Sequence, residues 1–245
     1  MEQGNNVSEL IRERFVKVNR EYAQVSGGKV YAEPSKIRIE KELLSGVGTY
    51  EFDIKKTDIR NMREVSIDRN DVFIPNFLGV FLTLEDNSKP ACGVLSSFPL
   101  YNDGVNPSPY VAGFQNHDVE AIYNGKFNWV IDNGVLFSSY PMEHFRVVPQ
   151  TQGDFALDSN DQAVNLQTLP EWNILKSCEL LYPRITIAGT RDHKIRVNFD
   201  GAGLTFPVTA GYTPKLTLYM DGFLIKGGCE YFNGANPNAS AVGQW

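Results

Sequence analysis

The chain has 245 residues, 42% of them hydrophobic and 21% charged, with a formal net charge of −6. That length suits one large or two small β domains of an ordinary soluble composition, and an acidic balance without a polybasic run argues against direct nucleic-acid binding. The cysteines, Cys92, Cys178 and Cys229, are odd in number and form no C-x-x-C, so reduced and partly buried thiols are expected. No apolar stretch of the signal-peptide kind opens the chain, and no run approaches the ~20 residues of a membrane helix.

The first element is an amphipathic helix over residues 6–25. Val7, Leu10, Ile11, Phe15, Val18 and Tyr22 recur at the three-to-four spacing of one helical face. Asn6 is placed as the N-cap with Glu9 reaching back to it, and Gly27-Gly28 as the stop. The other face carries Arg12, Glu13, Lys17, Arg20 and Glu21. Such a helix packs on its own domain, or docks on a neighbouring subunit or a membrane surface.

After Pro34 the pattern alternates with period two. Strands are predicted over 37–43, 49–54 and 64–68, with Gly46-Val-Gly48 turning between the first two. The nearly continuous apolar run 77–84 predicts a strand covered on both faces. A strand over 92–98 precedes a long loop, 99–118, rich in Asn, Pro, Gly and Ser. Asn133-Gly134 then predicts a two-residue hairpin turn. On that register Asp132 lies opposite Val135, Ile131 opposite Leu136, Trp129 opposite Ser138 and Phe127 opposite Tyr140. Phe127, Trp129, Ile131 and Leu136 then face the core. A second Asn-Gly, at 124–125, either extends the ribbon by pairing Ile122 with Phe127 or forms a looser turn.

The polar stretch 150–171 reads as a junction. Strands resume at 178–182, 184–188, 194–199 and 204–208, and at 215–220 and 223–226, with Thr190–His193 and Asp221-Gly222 as hairpin turns. Residues 227–245 read as irregular. Many short strands with one terminal helix predict an all-β fold of the sandwich or jelly-roll type.

Signatures of chemistry are sparse. There is no G-x-S-x-G, H-E-x-x-H or Walker loop. The histidines, His117, His144 and His193, are scattered and form no ligand spacing. Glu40, Glu42, Glu51, Glu64 and Glu120 lie on or beside strands, and Glu40 and Glu42 share one face, as on a solvated surface more often than in a catalytic pair. Asp154, Asp158, Asn160 and Asp161 make an oxygen-rich loop without the spacing or glycine of an EF-hand. The loop aromatics Tyr101, Tyr110, Phe114 and Trp172 suit either sugar stacking or a subunit contact. No catalytic residue, metal ligand or cofactor is assigned.

Segment order carries one resemblance. The helix leads into Ile37-Arg-Ile-Glu-Lys41. Tyr50-Glu-Phe-Asp-Ile-Lys55, Asn70-Asp-Val-Phe-Ile-Pro75 and Leu78-Gly-Val-Phe-Leu82 follow. Next come Tyr123-Asn-Gly-Lys126, Phe145-Arg-Val-Val-Pro-Gln-Thr-Gln152 and Ile185-Thr-Ile-Ala-Gly-Thr190. Over most of its length this resembles the major capsid proteins of small tailless icosahedral phages with an internal membrane, the finnlakevirus group. The resemblance implies a double jelly roll of two adjacent β-barrels with an N-terminal amphipathic helix. Its units are the helix or arm, 1–30, a first jelly roll, 31–149, and a second with an irregular tail, 150–245. It implies a non-enzymatic virion protein, made in the host cytoplasm, that forms homotrimeric, pseudo-hexagonal capsomers. Its partners would be other copies of itself, minor capsid or penton proteins and the internal membrane lipids, with no direct nucleic-acid contact. Arg12, Lys17 and Arg20 would face the membrane. The competing class is a β-sandwich module that binds carbohydrate or a receptor, as in a phage fibre or spike.

Overall fold

The computed structural model describes residues 2–54, 64–89, 95–96, 121–132, 134–146, 156–157, 163–164, 178–182, 184–202 and 211–232. Helix α1 runs Glu2–Ser26. It starts four residues before the expected cap, so Asn6 lies inside it. The Gly27-Gly28 stop is as expected: Gly27 has φ 63°, and the Gly28 and Gly27 N–H groups donate to the Ala23 and Gln24 carbonyls at 2.7 and 3.4 Å, a Schellman cap. The Ser26 hydroxyl accepts from the N–H groups of Lys29 and Val30, which turns the chain into the first strand.

Twelve strands are described: β1 Ala32–Glu42, β2 Thr49–Asp53, β3 Val72–Asp86, β4 Leu95–Ser96, β5 Lys126–Ile131, β6 Gly134–Pro141, β7 Ala156–Leu157, β8 Ala163–Val164, β9 Glu179–Leu180, β10 Ile187–Ala188, β11 His193–Asn198 and β12 Tyr212–Ile225. A short helix, α2, follows at Cys229–Phe232. One sheet has the order β1-β12-β3-β10, with β4 and β9 also on β3. The second has the order β2-β11-β5-β6, and β7-β8 is a separate pair. Every pairing is antiparallel.

The pairings are nested. β1 pairs with β12, β2 with β11, β3 with β10, and β5 with β6. The chain therefore doubles back on itself about the β5–β6 turn, and strands that follow residue 150 return to strands that precede it. A division at 149/150 separates neither large sheet. Among the described residues there is one two-sheet sandwich with strands of both halves in each sheet, in place of the two side-by-side barrels expected.

Between the sheets lies one apolar core, drawn from alternate residues of β1, β2, β3, β5, β11 and β12 and including Phe52, Trp129 and Leu218. A second cluster lies on the outer face of the larger sheet. There Val18 and Tyr22 of α1 pack on Val72, Ile74, Phe223 and Ile225, with Phe15 against Phe223 at 5.2 Å between ring centroids. Farther along β3, within the predicted run 77–84, Phe81 packs with Leu95 and Tyr219 on that outer face while Leu78, Val80 and Leu82 enter the inner core, so β3 is covered on both faces as its continuous apolar run predicts. It is also longer than 77–84.

The C-terminal part of the helix stripe, Val18 and Tyr22, is buried within its own chain, the rest is half-buried, and Glu21 anchors the helix further through an ion pair with Arg184 at 2.8 Å.

Several expectations change at bulges. Asp221-Gly222 is no hairpin turn. β12 runs straight through it, and the register shift there leaves Asn76 of β3 as the extra residue. Gly222 is needed because a Cβ would strike the Ile74 carbonyl and Pro75. Residues 189–192 turn not within a hairpin but from β10 in one sheet to β11 in the other. At the central hairpin, Ile131 pairs with Gly134, Val130 with Val135, Trp129 with Phe137 and Phe127 with Tyr140. The turn lies one residue earlier than expected (Asn133 is outside the described residues). Asp132 takes φ 53°, a left-handed conformation that Asp tolerates. Its carboxylate accepts the Asp192 N–H at 2.9 Å, and its own N–H donates to the Asp192 carbonyl at 2.7 Å. Two extra residues are then absorbed along β6, so Phe137 packs against Trp129 and Leu136 is turned out, 39% exposed. Phe127, Trp129 and Ile131 do pack in the core.

The second Asn-Gly forms the looser turn, with the Gly125 N–H donating to the Ile122 carbonyl at 3.1 Å. Residues 64–68 form no continuous strand: Val65 bridges Arg38, and Ile67 is a second isolated bridge residue. The predicted strand 204–208 and loop 99–118 lie outside the described residues, as does 233–245.

Candidate interaction surface

The alternation of β2, β5 and β11 sends one set of side chains inward, and these fill the sandwich. Trp129, Phe127 and Phe52 are fully buried, with Trp129 and Phe137 rings 6.1 Å apart and Phe127 and Phe145 5.5 Å apart. His193 is buried against the Trp129 ring, whereas His144 is exposed and lies over Tyr140 at 5.0 Å. The two do not converge, and His117 is outside the described residues. Among the described residues no group of three His, Cys, Asp or Glu side chains could hold a metal ion.

The strand carboxylates are engaged elsewhere. Glu40 is not on a solvated face: it is 8% exposed, accepts from Arg38 Nε at 2.8 Å and meets Lys215 Nζ at 3.4 Å. Lys215 also bonds Glu85, and Glu64 accepts the Glu40 N–H at 3.0 Å. Glu51 pairs with Arg196 at 2.6 Å, and Glu42 is exposed. Glu40, Glu85 and Glu51 are thus each engaged by a cation, whereas glycosidase chemistry requires two carboxylates facing each other across a cleft. Burial, with Asp221 nearby, pushes the Cys178 thiol up to about 12, so it stays protonated and unreactive at neutral pH. Tyr101, Tyr110, Phe114, Glu120, Asp154, Asp158, Asn160, Asp161 and Trp172 lie outside the described residues.

Arg12, Lys17 and Arg20 share the outward face of α1 with Glu9, Glu13, Val16 and Glu21. Three cations and three carboxylates leave that face without net charge. Beneath it the apolar stripe is buried at Val18 and Tyr22 and half-buried at Val7, Leu10, Ile11 and Phe15. No helix of the described residues is long and apolar enough to cross one.

The outer face of the smaller sheet is polar. Lys194 and Arg196 of β11 are exposed between the buried residues of that strand, and Glu51 and Asp53 stand beside them on β2. At its far edge β6 differs: Val135 is 63% exposed and Leu136 39%, and Tyr182, just beyond β9, is 83% exposed. Sequence reasoning missed this surface because it assigned Leu136 to the core. The readable signal was the uncharged run Gly134–Pro141, too long for a turn and too polar on one side for a buried strand. No protein-family model matches the chain, and neither a curated protein nor a solved structure shows detectable similarity to it.

Proposed function

We propose that this chain is a non-catalytic structural subunit of a viral capsid, built as a single jelly roll that assembles with copies of itself. The observation that carries this reading is the nested strand order, first with last, in two facing sheets. That order is the eight-stranded jelly roll when β9 and β10 together count as one strand and the two-residue β4, β7 and β8 are set aside, an architecture used by viral capsid proteins, lectins and cupins. A cupin-like enzyme places its site inside the roll, but here the described interior is filled by Phe52, Phe127 and Trp129. A lectin-like module stacks sugar on an exposed aromatic platform, whereas among the described residues the exposed Tyr31 and Tyr182 lie on separate segments. A shell subunit needs what is present: a rigid two-sheet scaffold with a helix locked across it.

The proposal keeps the likeness to phage shell proteins and departs from it in one respect. Paired barrels and a trimeric pseudo-hexagonal capsomer would require a second roll, and the described strands make up a single roll. The same reading directs Arg12, Lys17 and Arg20 to the headgroups of an internal membrane. Each such contact contributes about 1 kcal/mol near an anionic surface, and Glu9, Glu13 and Glu21 oppose it. Light scattering and negative-stain electron microscopy of the purified chain over a range of concentration and salt test the reading. Regular closed or sheet-like assemblies are expected. A monomer at every condition, or specific retention on immobilised glycans, would overturn it.

A further inference from the structure

The outermost strands of the two sheets are guarded unequally. Along β1, Arg38 and Val65 exchange both backbone hydrogen bonds at 2.8 Å, Pro34 removes a donor, and the strand carries Glu33, Lys36, Lys41 and Glu42. β2 is five residues long and carries Glu51 and Asp53. β9 and β10 have two residues each. Short length, charge and proline are the usual means by which a soluble sheet avoids meeting another. β6 is eight residues long and has no charged side chain.

The backbone of β6 is nevertheless poorly shaped for strand addition. Leu136 is the extra residue between the Val130–Val135 and Trp129–Phe137 pairs. Ser139 has φ 56°, and its N–H already donates to Asn128 Oδ1 at 2.8 Å. What this edge offers is side chains: Val135 and Leu136 project from it. Between β6 and β9 lies a recess of about 90 Å³ whose lining includes Phe137, Tyr140, Leu181 and Tyr182, with Glu179 as its one charged lining residue.

We propose that this edge is a contact between two copies of the chain, made by Val135, Leu136 and Tyr182 packing against the same edge of a neighbour. The inference rests on the shell-subunit reading and names the surface that reading needs. Two observations favour a second copy over another partner. First, projecting apolar groups and an apolar recess occur together on one edge, so a two-fold arrangement lets each copy fill the other. Second, the chain carries a net charge of −6, a general repulsion between copies to which an uncharged strand adds nothing. β6 brings together two strands without charge. Tyrosines such as Tyr182 are also enriched at the desolvated centre of interfaces. So few side chains fall short of the ~800 Å² per partner of a stand-alone interface. The contact is therefore one of several weak ones that add up in a closed assembly.

The test uses the full chain with Val135→Lys and Leu136→Lys combined, and separately Tyr182→Ser, with Leu136→Met as the conservative control. Both lysines would replace solvent-facing side chains, so circular dichroism melts should match wild type. Sedimentation and electron microscopy then read the concentration at which assemblies appear. The lysine pair and Tyr182→Ser are expected to raise that threshold by about tenfold or more, and Leu136→Met to leave it unchanged. A folded lysine variant that assembles at the wild-type threshold overturns the proposal and gives the patch to some other partner. A wild-type chain that never assembles sinks the shell reading itself, and the contact with it.

Discussion

Trp129 is the side chain on which the hairpin register and the inter-sheet core both depend. It is fully buried, with Phe137 stacked at 6.1 Å and His193 at 6.4 Å. Truncation to Ala removes most of the ~150–250 Å² that a buried aromatic contributes. At about 25 cal/mol per Å² that is ~4–6 kcal/mol, and large-to-small aromatic substitutions fall at about 3–5 kcal/mol. Trp129→Ala is therefore expected to cost about 4 kcal/mol. A second feature separates packing from hydrogen bonding: the buried indole N–H has no partner among the described residues. Trp129→Phe loses part of one ring but also removes an unpaired donor worth about 1–3 kcal/mol. Its net effect should be within about 1 kcal/mol of zero. Urea unfolding followed by far-ultraviolet circular dichroism, on unassembled protein, measures both variants. A loss below about 1 kcal/mol for Trp129→Ala at unchanged urea slope would refute the placement of this side chain. A Trp129→Phe variant as damaged as the alanine would refute the unpaired indole.

Thr83 and Thr217 share a buried hydroxyl–hydroxyl hydrogen bond of 3.0 Å. Each single Thr→Val change should cost about 1–3 kcal/mol and the double change little more than one of them, as a double-mutant cycle by urea unfolding would show. Burial raises the Asp221 carboxyl above its ordinary value, with Lys36, its cross-strand neighbour, opposing. The folded chain therefore holds this proton at a pH where the unfolded chain has lost it. Stability attributable to Asp221 should fall as pH rises through that window, and Asp221→Asn should flatten the slope and stabilise the neutral protein in melts across pH. Deletion of residues 2–26 uncovers Val72, Ile74, Phe223 and Ile225, so it should yield an aggregating, dye-binding chain. Changing Arg12, Lys17 and Arg20 together to Ala should leave the melting temperature unchanged. A well-folded deletion variant would show that α1 is a detachable arm.

Local pattern made the all-β class, the terminal helix and its glycine stop legible, because period and cap chemistry are written within a few neighbouring residues. The apolar run around Phe77–Leu84 likewise predicted a doubly covered strand, which β3 is. Pairing over long range was not legible. β12 lies between β1 and β3, but nothing near residue 215 says which strand some 180 positions earlier it will meet, and a polar stretch after 150 was taken for a boundary. Bulges hid the rest. Asp221-Gly222 has turn composition, yet an extra residue on the opposing strand keeps β12 continuous. In the central hairpin, Asp132 could take the left-handed position because a carbonyl and an N–H from the distant Asp192 hold it there. That one-residue change, with the two extra residues taken up along β6, turned Leu136 from core to surface. It is a tertiary contact, and not the Asn-Gly signal, that decided which side chains this edge presents.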